Sequence, residues 1–431
     1  MIKKTELLRI MLKWIIITIP FLHAFAINSY LPLPLVLTIL SCAAVFFCKV
    51  RLKIRIEDLC ILLVLLLGIL GFAIRPEFIG AKNLSHSIAW ITTIMFFYFW
   101  VSYLLFYSKI SLNQIAKFAT VAIVVSSMGV IADLILSNTV GKYLFEILPF
   151  SISEMEASES LGGLIKRPRG LAAEPGFSAI GFEMLFPIAW IYLRDKNRII
   201  KNVVFTFCLF SYLVLTSAAS IVSMAVAVTV AFGATSSINR IFKGVVIFIL
   251  LVAFGLFIVS IVYPALYEVV ISTFDFVIGD KADLMTTGNK GLRRKIYESL
   301  LNLIQTEPMG IGFGTLSQYY GNGNRLLNGI PIYGPGAISL YLEVLLASGF
   351  IGLISFLCFL FAKIRRLYMI QDLLIRRMFL ISIISVSLHH IFLSEIWFPM
   401  LWILCALANN ISAIMIEQSC IKNKKINYQW I

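Results

Sequence analysis

Charge is the first thing this sequence lacks. Only 13% of its 431 residues are Asp, Glu, Lys or Arg, against 60% hydrophobic, and the mean hydropathy is +0.94. A chain this poor in ionic side chains cannot clothe a globule in water-facing surface, so soluble fold classes are excluded. Acidic residues are scarcer than basic ones, 22 against 36, for a net charge of +14. That excess does not imply nucleic acid, because the cations lie in short runs between long apolar segments, as the positive-inside bias distributes them. Cysteine supplies no framework. The seven fall in expected spans or on the expected inner side, with no Cys-x-x-Cys spacing, so free and mostly buried thiols are expected. Histidine is rarer still, and the adjacent His389 and His390 cannot share a helix face, so no metal pair is expected. No small-residue cleavage site follows the first apolar segment, so no removed signal peptide is expected.

What the sequence does have is apolar length. We expect an all-α, polytopic integral membrane protein with about twelve transmembrane helices in a single transmembrane domain over 1–431. They run over 14–29, 31–48, 56–74, 86–107, 115–136, 176–193, 202–216, 218–235, 244–263, 336–362, 376–393 and 396–417. The join at 216–218 reads either as a tight outer turn or as one long bent helix. With the N-terminus inside, every inner segment carries at least two Lys or Arg, and the outer cations concentrate in two long loops. Both termini are then cytoplasmic. Ionisable residues in or at the ends of spans are few, namely Asp133, Glu183, Glu343, His389, His390 and Glu395. Such residues ordinarily face the bundle interior or a cavity.

The two long outer loops, 137–175 and 264–335, are where function is expected. The first holds Lys166-Arg-Pro-Arg-Gly-Leu-Ala-Ala-Glu-Pro-Gly-Phe-Ser178. Pro168 and Pro175 fix φ and Gly170 permits unusual backbone angles, so the stretch reads as a stiff loop presenting Arg167, Arg169 and Glu174. A basic cluster beside a span is ordinarily a topogenic signal, but the topology places this one on the opposite face. In the second loop, Leu292, Ile296, Leu300, Leu303 and Ile304 recur at helical spacing, with Arg293, Arg294, Lys295, Tyr297 and Glu298 off the stripe. That pattern suits a helix at the interface, apolar side toward lipid or protein and cations toward a head-group. It suits a purely structural surface helix equally. Gly310, Gly312 and Gly314 look like a nucleotide loop, but no strand–helix unit surrounds them, and a tight turn is the better reading.

Arginines and a carboxylate at a membrane surface suit an anionic, lipid-linked substrate. Guanidinium forks match pyrophosphate oxygens and stabilise charge building on a leaving pyrophosphate. A carboxylate can take the proton from an acceptor hydroxyl. No Asp-x-Asp stands in the outer loops, and Asp280-Lys-Ala-Asp283 has the wrong spacing, so arginine in place of a metal is the simpler expectation and no cofactor is implied.

Arg167-x-x-Gly170-x-x-x-Glu174-Pro175 ahead of a span resembles the signature loop of the O-antigen polymerase family. Three further features resemble it too: the basic helix near Arg293 and Arg294, Pro308-Met-Gly-Ile-Gly-Phe-Gly, and Leu342-Glu-Val-Leu-Leu-Ala-Ser-Gly-Phe-Ile-Gly352. The resemblance covers about 160–360. It implies a bacterial inner-membrane polymerase that joins undecaprenyl-pyrophosphate-linked oligosaccharide repeat units on the periplasmic face, with a fold akin to membrane glycosyltransferases. It implies Glu174 and Arg167 as catalytic residues and Arg169, Gly170, Arg293, Arg294 and Tyr297 as substrate-binding ones. The partners implied are the lipid-linked oligosaccharide, membrane lipids and a chain-length regulator protein. The related ligases often carry a His-Asn pair where Ile338 and Ser339 stand here, and neither long outer loop contains a histidine, which favours polymerase over ligase. His86, after the third span, is the one outer candidate. A flippase for the same lipid-linked unit is the alternative from another class, but it calls for internal repeats and short loops. This topology predicts that a membrane-impermeant maleimide labels Ser153→Cys and Asn322→Cys in intact spheroplasts. Labelling of either only after lysis would reverse the assignment.

Overall fold

The computed structural model describes residues 4–27, 31–45, 54–74, 81–149, 160–161, 165–215, 218–234, 300, 303–315, 326–327, 330–331 and 339–428. Apolar runs without water around them close their own backbone hydrogen bonds, and the protein is mostly helical. The helices are α1 (Lys4–Ile17), α2 (Leu33–Val45), α3 (Asp58–Ile74), α4 (Ala81–Thr93), α5 (Val101–Tyr107), α6 (Leu112–Ile135), α7 (Pro175–Leu193), α8 (Arg198–Val214), α9 (Ala218–Gly233), α10 (Leu340–Tyr368), α11 (Leu373–His389) and α12 (Pro399–Tyr428). Two antiparallel pairs, two residues per strand, lie in the long loops at 160–166 and 326–331. Among the described residues, Asn83–Tyr107, Leu112–Val140, Pro175–Leu193 and Leu340–Tyr368 are long and apolar enough to cross a membrane. Leu33–Val45, Asp58–Gly71, Ala219–Gly233 and Pro399–Met415 are shorter apolar helices.

Two sequence expectations shift. The first helix spans Lys4–Ile17 and not 14–29, and it stops at Ile17 because Pro20 cannot donate and disfavours helix just before it. The first long loop starts later than 137, because helical backbone continues as a π-turn over Leu136–Val140 and stops at Gly141, φ 77°. At the join near 216, α8 and α9 are separate helices, and the Tyr212 hydroxyl donates to the Ser220 carbonyl at 2.8 Å.

The bundle packs α7 between α6 and α11, and α3 along α10. Its core includes Trp90, Phe97, Phe182, Phe356, Phe379 and Trp402, all fully buried. A second π-turn, Ile94–Trp100, joins α4 to α5 and turns Phe97, Tyr98 and Trp100 inward. Helix α10 is broken at Gly349, φ 66° and ψ −170°. The break lets a non-helical segment, Pro308–Thr315, lie against it. Ile311 N–H donates to the Leu346 carbonyl at 2.7 Å and Gly312 N–H to the Ala347 carbonyl at 3.0 Å. A Cβ on Gly349 would sit 2.6 Å from the Pro308 carbonyl oxygen, and one on Gly71 would sit 2.3 Å from the Gly312 nitrogen. The glycines expected to allow a close backbone approach therefore do so against α3 and α10. Leu300, Leu303 and Ile304 pack with Ile311, Leu345 and Leu346, so that part of the apolar stripe faces protein.

Several ionic side chains inside the bundle are paired. Lys363, fully buried, donates to Asp58 at 3.0 Å and to Asn409 Oδ1 at 2.7 Å. The Tyr98 hydroxyl donates to the same Asp58 oxygen and accepts from Asn409 Nδ2 at 2.6 Å. Arg366 closes on Glu57 with its Nε at 2.7 Å. Elsewhere, Glu183 on α7 meets His389 on α11 at 2.8 Å. Removing one partner of a buried ion pair leaves an uncompensated charge and costs about 3–5 kcal/mol, whereas replacing both with apolar groups is often neutral. Lys363→Met therefore lowers the thermal midpoint in detergent, and Lys363→Met with Asp58→Leu restores most of it.

Candidate active site at the Arg167–Glu174 turn

The turn before α7 is built on Asp133, near the end of α6. Its buried carboxylate accepts from the backbone N–H groups of Arg169 at 2.6 Å and Gly170 at 3.2 Å with one oxygen, and of Leu144 at 2.7 Å with the other. One side chain thus satisfies three donors that no helix supplies with acceptors. Gly170 sits at φ 67°, and a Cβ there would lie 2.9 Å from Val130 Cγ2. The Ser178 hydroxyl, from the first turn of α7, donates to the Arg169 carbonyl. The other end of the turn is clamped by the stretch after α1. His23 Nδ1 accepts from Ala173 N–H at 3.1 Å, so that nitrogen carries no proton. Ala24 N–H donates to the Leu171 carbonyl at 3.3 Å. The His23 ring stacks on Phe177 at 5.8 Å and meets the edge of Phe398 at 6.2 Å.

The side chains expected at the site separate in space. Arg169 is buried, 4% exposed, with its guanidinium 5.1 Å from the Tyr143 ring and 5.4 Å from Phe145. Arg167 reaches the other way, donating to the Leu215 carbonyl at the end of α8 at 3.1 Å. Glu174 is exposed and N-caps α7 through its backbone. Its carbonyl accepts from Phe177 and Ser178, while its carboxylate makes no capping bond. Gly170 spends its N–H on Asp133. Arg293, Arg294 and Tyr297 lie outside the described residues.

A second group of side chains gathers at the start of α10. Glu343, in the first turn of α10, accepts from Trp90 Nε1 at 3.2 Å and lies 3.7 Å from His86 Nδ1. Glu395, in the turn between α11 and α12, is pushed up to about 8 by burial, with the charges of Glu343 and Glu174 adding to it. Trp90 stacks on Phe313 at 4.7 Å, and Asn83 donates to the Phe313 carbonyl at 3.1 Å, so the Pro308–Thr315 segment backs this group. The α11–α12 turn that carries Glu395 thus touches the start of α7, where the Phe398 ring meets the Phe177 ring edge-on at 4.8 Å, and the start of α10, where Leu340 N–H donates to the Leu393 carbonyl at 3.0 Å.

The comparison with known families falls on the second half of this assembly. Residues 203–357 match the family model for O-antigen ligase. The match is consistent with the O-antigen polymerase/ligase superfamily, the resemblance drawn above from loop motifs. No curated protein matches the chain. The O-antigen ligase match takes in Arg293, Arg294 and Tyr297, the Pro308–Thr315 segment and Glu343, and leaves Arg167, Glu174 and Glu395 outside it. The apolar helices and the match together support a multi-pass membrane protein, and members of the matched family are glycosyl-transferring enzymes.

Sequence reasoning missed the supporting side chains. Asp133 reads in sequence as a boundary residue, and its use as a backbone acceptor has no sequence signal. Tyr143-x-Phe145 does carry one, since aromatics two apart in a loop rich in arginine are candidates for stacking. Leaving a buried donor unsatisfied costs about 1–3 kcal/mol. Asp133→Ala, which orphans three, therefore destabilises the protein more than Asp133→Asn, which keeps one acceptor oxygen. Thermal unfolding in detergent ranks the two.

Proposed function

We propose that this protein is a polysaccharide polymerase that joins lipid-linked oligosaccharide repeat units at the outer face of a bacterial inner membrane. The growing chain leaves its undecaprenyl pyrophosphate and passes en bloc to a hydroxyl of a new repeat. The observation that carries this reading is the turn itself. Asp133, Ser178 and His23 fix the backbone between Arg167 and Glu174, and the α11–α12 turn that packs on the start of α7 also holds the start of α10, which carries Glu343. Pre-set groups of this kind stabilise developing charge without reorganising at the moment of reaction. Arg167, with Arg293 and Arg294 from the second loop, holds pyrophosphate. Glu174 accepts a proton or orients the arginines, and Arg169 braces the loop through Tyr143 and Phe145. The twelve-span topology, with both termini cytoplasmic, and the likeness to membrane glycosyltransferases belong to the same proposal. So does a chain-length regulator as partner.

One contact favours the ligase alternative. His86 beside Glu343 brings a histidine to a site whose two long loops contain none. The surface product separates the readings. A strain without a polymerase displays single repeat units, one without a ligase leaves polymer on the carrier lipid, and one without a flippase displays neither. Removing one charge-stabilising donor typically costs about 10²–10³ in rate. Arg167→Ala and Glu174→Ala strains should therefore lose long-chain polysaccharide while keeping single units, at normal protein level. Normal long chains in both remove the proposed site.

A further inference from the structure

We propose that Glu395 is the proton acceptor for the attacking hydroxyl in this glycosyl transfer, a role that rests on the polymerase reading. Glu395 is half-buried, but its Oε2 is shielded from solvent and has no hydrogen-bond partner among the described residues. The fold therefore makes no use of that oxygen, although burying a polar atom unpaired is costly.

The turn that carries Glu395 is held on both sides. Leu340 N–H donates to the Leu393 carbonyl at 3.0 Å, and His390 Nδ1 lies 3.3 Å from the same oxygen. Trp402 Nε1 donates to the Ile396 carbonyl at 2.9 Å. The charged and titratable groups that face Glu395 are Glu174 from the first-loop turn and Glu343 from α10, with His86 of α4 acting on Glu343. Glu343 has a donor of its own in Trp90, and Glu174 is exposed. Burial raises the affinity of the Glu395 carboxylate for a proton.

The chemistry balances with groups already named. The acceptor hydroxyl oxygen forms a bond to the anomeric carbon of the donor sugar as its proton passes to the Glu395 carboxylate. The bond between that carbon and the pyrophosphate oxygen breaks, and its electron pair leaves with the lipid pyrophosphate, against the arginines. Water then carries the proton away and restores the carboxylate. Glu174 is left the positioning role.

The sign of the pH dependence follows. Glu395 works deprotonated, and its carboxyl is pushed up to about 8, so elongation rises as pH rises through about 8. The test uses membrane vesicles holding the full chain, supplied with lipid-linked repeat units extracted from a strain deleted for this gene, with chain length read on gels across pH. Elongation by the wild type should climb with pH. Glu395→Gln should slow it by about 100-fold or more and abolish the climb, while retention of undecaprenyl pyrophosphate by the purified variant stays unchanged. Glu395→Asp should keep partial activity with a displaced pH midpoint, and it decides the matter if the glutamine variant does not fold. Wild-type elongation with an unchanged profile in these variants overturns the role of Glu395 and leaves the polymerase standing. Failure of the wild type to elongate these units overturns the polymerase reading and the base with it.

Discussion

The site depends on one carboxylate that touches no substrate. Asp133 takes the N–H groups of Arg169, Gly170 and Leu144, and so lets the chain leave helical geometry beside the bundle without stranding backbone donors. Within a membrane protein no water stands ready to take those donors, so irregular backbone survives only where the protein itself supplies acceptors. From that constraint follow the left-handed Gly170, the hydroxyl bridge from Ser178 and the start of α7 at Pro175.

The second irregular segment solves the same problem with main chain instead of a side chain. Breaking α10 at Gly349 frees the carbonyls of Leu346 and Ala347, and the N–H groups of residues 311 and 312 fill them. Glycine is needed on both partners because the two backbones approach closer than a Cβ allows. Phe313 then reaches Trp90, and Trp90 reaches Glu343. Three parts of the chain far apart in sequence thereby meet at the start of α10. The electrostatic outcome is a division of labour, with cations on the loops and carboxylates on the helix ends.

The sequence made the helical class legible, because apolar runs of span length admit little else. It also made legible the glycine turn at 310–314 and part of the apolar stripe, since Leu300, Leu303 and Ile304 are buried together as their spacing implied. It did not reveal how the first loop is held. Hydrogen bonds from a side chain on one helix to the backbone of a loop 36 residues away leave no periodic trace, and His23 is 150 residues from its donor. Arg169 shows a subtler limit. Sequence reports a cation in a basic cluster, while the structure lays it over two rings and hides it from solvent. The ends of the first helix and first loop moved because Pro20 stops a helix that hydropathy alone would continue, and a π-turn carries α6 past its expected end.

The buried cluster around Lys363 bears on how the protein is made. Its members come from residues 55–58, 98, 363–366 and 409, so the ribosome delivers Asp58 some three hundred residues before its lysine. Until α10 and α12 emerge, Tyr98 is the only side-chain donor to Asp58 from this cluster that has been synthesised. The early helices are therefore made with a carboxylate whose lysine is still to come, and the cluster's hydrogen bonds close only when the last helix brings Asn409.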